Sequence, residues 1–289
     1  MSRTLLLTGY IVICSLASVG AQGNGHAYGK LKHGTPSSGG ASQVQPTAGV
    51  RNFGSWLDDA SVMAPGSGSL SVSFGWFRSP LFREFDMPVA DGGIGLTDRV
   101  QFGFSVPYYH VNEPGGPVVR GIGDLYLSAK VQLREPSASR IGVAVIPVVE
   151  VLSSDPGPGE RQFQWAIPVS VEMQRTRWRA FGSAGYFSRG SVFAGGAVEA
   201  AVARRTWVTA TITQSLSTAD DEPGASLILS RSRTDVSGGA SHAVTPRIYV
   251  FGNVGRTISR QDANAATITI SGGASVSFDA WRLSTPRTR

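Results

Sequence analysis

Cysteine is almost absent from the 289-residue chain: Cys14 is the only one, and it lies within an apolar run at the amino terminus. Arg3 precedes that run, which extends from Leu5 to Ala17. Val19-Gly20-Ala21 then presents the small residues that a signal peptidase reads, so cleavage is expected before Gln22 and residues 1–21 read as a signal peptide. Ile13 is too bulky for a lipoprotein cleavage box. The exported chain would carry no thiol, which excludes disulfides, cysteine-ligated metal and cysteine catalysis. Long apolar runs are missing as well. No other segment approaches the ~18–20 unbroken apolar residues of a spanning helix. Histidine is scarce too: His26, His33, His110 and His242 form no pair with the close spacing of a metal site, and no metal or cofactor is expected. Charged residues make up only 16% of the chain, and the formal charge of +6 is dispersed among turns and loops. No basic stripe offers itself to nucleic acid. The 36 glycines build no phosphate loop and fall within strand-like segments, as at Gly238-Gly239 and Gly272-Gly273.

What the chain does have is alternation. Ala266, Ile268, Ile270, Gly272, Ala274, Val276 and Phe278 form one row and Thr267, Thr269, Ser271, Gly273, Ser275 and Ser277 the other. Period two means a strand with one apolar and one hydroxyl-lined face. Leu125, Leu127, Ala129, Val131 and Leu133 alternate in the same way with Asp124, Tyr126, Ser128, Lys130, Gln132 and Arg134. These segments exceed the ~5–6 residues of a soluble sandwich strand and reach the roughly 9–11 that a tilted strand needs to cross a bilayer. A mean hydropathy of −0.01 fits a polar lumen averaged with an apolar belt.

About twelve strands are expected, spanning approximately 68–77, 83–91, 99–109, 122–134, 140–151, 163–174, 178–188, 191–203, 207–217, 232–243, 247–258 and 266–278. The fold class is therefore all-β, a single transmembrane antiparallel up-and-down β-barrel. Residues 22–66 read as a flexible periplasmic segment or plug, 67–278 as the barrel and 279–289 as a tail. A mobile tail is the favoured state of residues 22–56, although the stretch holding Phe53, Trp56 and Leu57 is apolar enough to enter the barrel mouth. Tight turns at Thr97-Asp98-Arg99, Pro136 to Arg140, Thr176-Arg177, Arg205-Thr206 and Thr245-Pro246-Arg247 alternate with longer connections at 111–120, 152–161 and 218–231; the short Arg189-Gly190 link is an exception. Outer-membrane barrels have short periplasmic turns and longer outer loops, which would put both termini in the periplasm. Aromatic residues near strand ends, among them Trp76, Trp165, Trp178 and Trp207, suit the two lipid–water boundaries.

With Pro65-Gly66 before the first strand, Gly121-Ile122-Gly123-Asp124-Leu125 opening the fourth, and the Thr-Pro-Arg turn at 245–247, residues 57 to 278 resemble the bacterial outer-membrane barrels labelled transporters of the phenol-degradation meta pathway. These are distantly akin to channels for hydrophobic compounds. The resemblance implies an outer-membrane location, lipid and the barrel-assembly machinery as partners, and a small hydrophobic or aromatic solute. One departure is the stretch Asp279 to Arg289 after Phe278, where such barrels usually end on an aromatic.

Strand parity and the cost of exposing a charge to lipid direct Asp124, Lys130, Glu150, Glu172, Glu199 and Arg256 inward as lumen-lining residues. They would set selectivity or, with equal weight, fill and stiffen a narrow barrel. Pro147 and Pro168 lie within long strands. If the chain turns between Val151 and Phe163 they come near each other, and their missing donors would mark a seam able to open sideways. Ser241 beside His242 invites comparison with lipid-hydrolysing barrels, but adjacent strand residues point to opposite faces. A transporter is the first expectation and no enzyme activity is expected. A non-conducting envelope barrel, a barrel hydrolase and a secreted β-sandwich follow in that order.

Overall fold

The computed structural model describes residues 57–80, 83–112, 118–153, 163–188, 190–217, 232–259 and 265–280. The proposed signal peptide, Phe53, Trp56 and the tail beyond residue 280 lie outside them. Fourteen hydrogen-bonded segments occur among these residues: β1 (Ser67–Arg78), β2 (Arg83–Thr97), β3 (Val100–Asn112), β4 (Val119–Ile122), β5 (Leu125–Arg134), β6 (Gly142–Val145), β7 (Val148–Val151), β8 (Phe163–Gln174), β9 (Trp178–Phe187), β10 (Ser191–Ala203), β11 (Thr206–Ser217), β12 (Ser232–Ala243), β13 (Ile248–Thr257) and β14 (Ile268–Asp279). They make twelve crossings. β4 and β5 are one crossing interrupted at Gly123-Asp124, and β6 and β7 are another interrupted at Ile146-Pro147.

Every crossing pairs antiparallel with its sequence neighbours. The sheet closes because β1 pairs with β14 from Ser67↔Asp279 to Arg78↔Ile268. Closure removes the edges that an open sheet would expose to lipid. The two-faced sequence dictates which side is which. On β1, Ser69, Ser71 and Ser73 are buried inside, while Leu70, Val72 and Phe74 stand exposed outside. On β14, Ile270, Val276 and Phe278 are exposed and Ser271 and Ser275 are buried. A row of exposed Phe163, Trp165, Ile167, Val169 and Val171 on β8 continues the apolar belt. Such a belt has no physical sense in water and a clear one in a bilayer.

One end of the barrel carries the tight connections, including Thr97 to Val100, Gln174 to Trp178 and Ala203 to Thr206. The other carries the long ones, together with two short links, between β1 and β2 and between β9 and β10. We refer to these as the turn end and the loop end.

Two irregularities reset the parity that the sequence predicts. On β2, Asp86 and Val89 face Gly75 and Ser73 of β1, and Tyr109 and Pro107 of β3, so Met87-Pro88 puts one extra residue into β2 against both neighbours. This bulge lets Glu84 and Asp86 on one side, and Val89 and Asp91 on the other, all face inward. At Gly123, where an added Cβ would meet Pro107, the register against β3 shifts by one, and Asp124 turns inward although Ile122 points out.

The proline seam differs from expectation. The pairing of β6 and β7 with β8 keeps one register on both sides of the break, Val145↔Val169 and Val148↔Ala166. Ile146 N–H donates to Pro168 O at 2.9 Å, and Ala129 N–H donates to Pro147 O at 3.0 Å. In an antiparallel ladder a residue directs its N–H and C=O to the same neighbour. Pro168 therefore costs the β6–β8 seam one donor, whereas Pro147 takes its missing donor to the β5 side. Pro147 is exposed and Pro168 buried, so the rings also lie on opposite faces. The two prolines do not weaken a common seam.

Candidate functional site: a plugged barrel interior

The lumen at the turn end is occupied by the chain itself. Residues 57–64, just before β1, fold into the barrel, with Leu57, Asp58, Asp59 and Ala60 fully buried. Leu57 packs on Phe181 and Ala197. The segment cannot satisfy its own backbone groups, because it is neither helix nor strand, so the wall supplies the partners. Asp58 N–H donates to Ser183 Oγ at 2.9 Å and Ser183 Oγ donates back to Asp58 O at 2.9 Å. Ala60 N–H donates to Glu172 Oε2 at 3.1 Å, Gln132 Nε2 donates to Ala60 O at 2.8 Å, and Met63 N–H donates to Gln101 Oε1 at 2.9 Å.

Charge fixes the segment further. Lys130 Nζ lies 3.0 Å from Asp58 Oδ1, 3.0 Å from Asp59 Oδ1 and 3.0 Å from Ser61 O, which uses all three of its donors. Arg179 Nη1 is 2.7 Å from Asp59 Oδ2 and 3.5 Å from Glu172 Oε1, and its Nε is 2.8 Å from Glu199 Oε1. The guanidinium stands over the Phe181 ring, 5.0 Å from its centroid. Asp59 thus bridges two cations, Lys130 from β5 and Arg179 from β9. Pro65 and Gly66 turn the chain out of the lumen and into the wall: Gly66 has φ of 77°, Gly66 N–H donates to Gly95 O, and Ser67 N–H donates to Ala64 O. Gly95 is required where it stands, since a Cβ there would overlap the carbonyl oxygens of Met63 and Ala64.

The remaining interior is asymmetric. Tyr126, Ile146, Val148, Ala166, Phe187 and Phe193 pack into one apolar cluster on the inner wall, with Phe187 and Phe193 ring centroids 5.3 Å apart. The wall from β11 round to β1 carries mainly small polar groups at its inward positions, with the buried Arg233–Asp235 pair of β12 and Phe77 of β1 as exceptions. Among the small groups the Ser73, Thr213 and Ser275 hydroxyls are buried without a hydrogen-bond partner.

The residues singled out by parity fall as follows. Lys130, Glu172 and Glu199 lie inside and meet at the plug. Asp124 and Glu150 lie inside toward the loop end, where Asp124 Oδ1 accepts from Ser153 N–H at 2.9 Å and Glu150 accepts from the Tyr126 hydroxyl. Arg256 does not line the lumen. It is exposed in the outward row with Val254, one residue from the end of β13, opposite Val236. A basic side chain near the water boundary costs only ~0–1 kcal/mol there, against ~2–4 at mid-depth. Ser241 and His242 form no catalytic pair; His242 is exposed and its Nδ1 lies 2.9 Å from Thr206 Oγ1. Asp58, Asp59 and Arg179 escaped the parity argument. Arg179 shares the odd row of Phe181, Ser183 and Phe187, which could have found it. Asp58 and Asp59 precede the first strand, and no periodicity marks them.

The architecture has solved counterparts. The COG4313 outer membrane channel from Pseudomonas putida F1 is similar at a TM-score of 0.61 and 14% identity, over 82% of this chain and 100% of that one. The NanC porin is similar at a TM-score of 0.52 and 10% identity, over 72% of this chain and 98% of that one. No protein-family model and no curated protein matches the chain. At these identities the likeness is one of fold, and the fold is an outer-membrane type of antiparallel β-barrel with twelve strands.

Proposed function

We propose that this protein is an outer-membrane channel for small hydrophobic or aromatic solutes, held closed at the turn end by residues 57–64. The observation that carries the reading is the nature of the filling. A barrel built only to be solid fills itself with wall side chains, whereas here one end is stopped by a tethered segment that is not part of the wall and is held by hydrogen bonds and ion pairs. Such a segment can leave without breaking the barrel ladder. The apolar cluster around Phe187 and Phe193 places buried aromatic rings on the inner wall, and the resemblance at Pro65-Gly66 and Gly121 to Leu125 points to a hydrophobic or aromatic solute. The turn end would face the periplasm and the loop end the exterior, with lipid around the apolar belt and the barrel-assembly machinery as the folding partner.

The second reading is a non-conducting envelope barrel, favoured by the threefold anchorage of Lys130. Flux into liposomes separates the two. Phenol and a sugar of similar mass are offered to the intact protein and to a variant lacking residues 22–64, whose barrel is checked by heat-modifiable migration in gels. Faster phenol entry after deletion, exceeding that of the sugar, is the expected result. A folded variant that passes neither solute leaves the envelope barrel as the answer.

A further inference from the structure

We propose that the outward face of β1 to β4 at the loop end binds the phosphorylated sugar headgroup of the outer-leaflet glycolipid, lipid A. Arg78 and Arg83 stand directly opposite each other on β1 and β2, and both are exposed in the outward rows that hold Phe74 and Phe85. Arg83 is paired with Asn112 of β3, so His110, two residues along on the same face, is its diagonal neighbour. His110 in turn is paired with the exposed Arg120 of β4. Neighbouring strands lie ~4.7–4.9 Å apart, which makes these groups one continuous basic patch. Arg256 extends it on the other side: it is one residue past the Gly255↔Thr269 pair, with Ile268 of β14 between it and Arg78. Among the described residues no carboxylate forms an ion pair with Arg78, Arg83, Arg120 or Arg256.

Like charges set directly opposite on a sheet are destabilising, and an anion between them removes the cost. A lone arginine at a lipid boundary carries its charge to water along its aliphatic stem, but that does not explain why the basic residues gather on one side of the barrel. Within β8 to β12 the last outward positions before the loop end hold Phe163, Tyr186, Val192, Leu216 and Ser232, none of them charged. The aromatic residues fix the height of the patch. Counting toward the bilayer, the next outward residue after Arg78 is Trp76, after Arg83 it is Phe85, and after His110 it is Tyr108, as in the girdle that marks a lipid–water boundary. Arginines one step beyond such a girdle stand at headgroup level. A guanidinium meets phosphate through two parallel N–H donors. Lipid A carries its phosphates on an acylated sugar, whose chains would lie along the exposed Phe74, Phe85 and Phe104. The proposal takes from the channel reading only that the loop end faces the exterior, and it does not require the barrel to conduct.

Native mass spectrometry of the full-length protein in detergent tests it, with lipid A, dephosphorylated lipid A and phosphatidylglycerol offered in turn. Lipid A is expected to bind about tenfold more tightly than either of the others, since charge-assisted hydrogen bonds to its phosphates are the difference. The Arg78→Gln, Arg83→Gln double variant should lose that margin, and the Arg204→Gln, Arg205→Gln double variant at the turn end should keep it. Equal binding of lipid A and its dephosphorylated form, or of lipid A and phosphatidylglycerol, overturns the proposal. Displacement of lipid A by inorganic phosphate at equal concentration also overturns it and leaves a site for the free anion. If the first variant does not fold, as judged by heat-modifiable migration, the comparison of lipids on the native protein still decides; if it folds and keeps the full margin, the proposal falls. Solute flux is measured separately, so a failure of lipid binding leaves the channel reading standing and the reverse holds too.

Discussion

Replacing Ile270 with Arg and Thr269 with Arg makes one chemical change on the two faces of a single strand. Ile270 lies opposite Trp76 in the outward row and Thr269 opposite Phe77 in the inward one. The first change should cost about 2–4 kcal/mol if the position lies near mid-bilayer, while the second should mainly alter the lumen. Folding titrations into bilayers measure both, and equal tolerance would contradict the assignment of faces. Lys130→Met removes a buried cation from between Asp58 and Asp59. Breaking a buried ion cluster by removing one partner costs roughly 3–5 kcal/mol. On the proposed reading the plug leaves without disturbing the wall, so the loss should show as protease cleavage within residues 57–64 with heat-modifiable migration unchanged. Unaltered protection would mean that Arg179 and the backbone bonds suffice. Parity made the inward position of Lys130 legible from the sequence, but not the partners of Lys130. Alternation describes a wall, and Asp58 and Asp59 belong to what the wall encloses.

Single elements show where reading by period succeeds and fails. Crossings such as β8 and β14 obey it throughout, because their register against each neighbour never shifts. β2 does not, since its bulge shifts the row after Asp86, and no run of apolar residues signals that change. The proline pair was misread for a related reason. Its alignment follows correctly from the hairpin, with Val148↔Ala166 as the nearest observed pair, but which neighbour each nitrogen faces depends on hydrogen-bond phase, which composition does not encode. Pro168→Ala restores a donor opposite Ile146, so amide exchange along β6 and β8 should slow. Exchange that stays the same would place the weak point elsewhere. Gly95→Ala sets a methyl against the carbonyls of Met63 and Ala64, so it should expel the base of the plug while leaving the β2–β3 ladder intact. Proteolysis of residues 57–64 reads the first effect and barrel migration the second. Deleting residues 22–50 should leave the barrel assembled; failure to assemble would make that segment part of the folding unit.

At the scale of the molecule, strand number, closure and the two faces were all visible in the sequence, because a barrel in lipid has to repeat one rule on every crossing. The interior followed no such rule. It collects charged residues from β5, β8, β9 and β10 with a segment that precedes them all. That segment is joined to β1 through Pro65 and Gly66 alone, and this short link has a consequence for kinetics. A stopper on so brief a leash is never diluted; its local concentration at the mouth is of the order of millimolar or higher. On the proposed reading, opening would be a brief unimolecular excursion, with resealing independent of how much protein the membrane holds. A free peptide of residues 51–64 added to a barrel lacking its own copy has no such advantage. It should reseal the mouth only when supplied at ~millimolar levels.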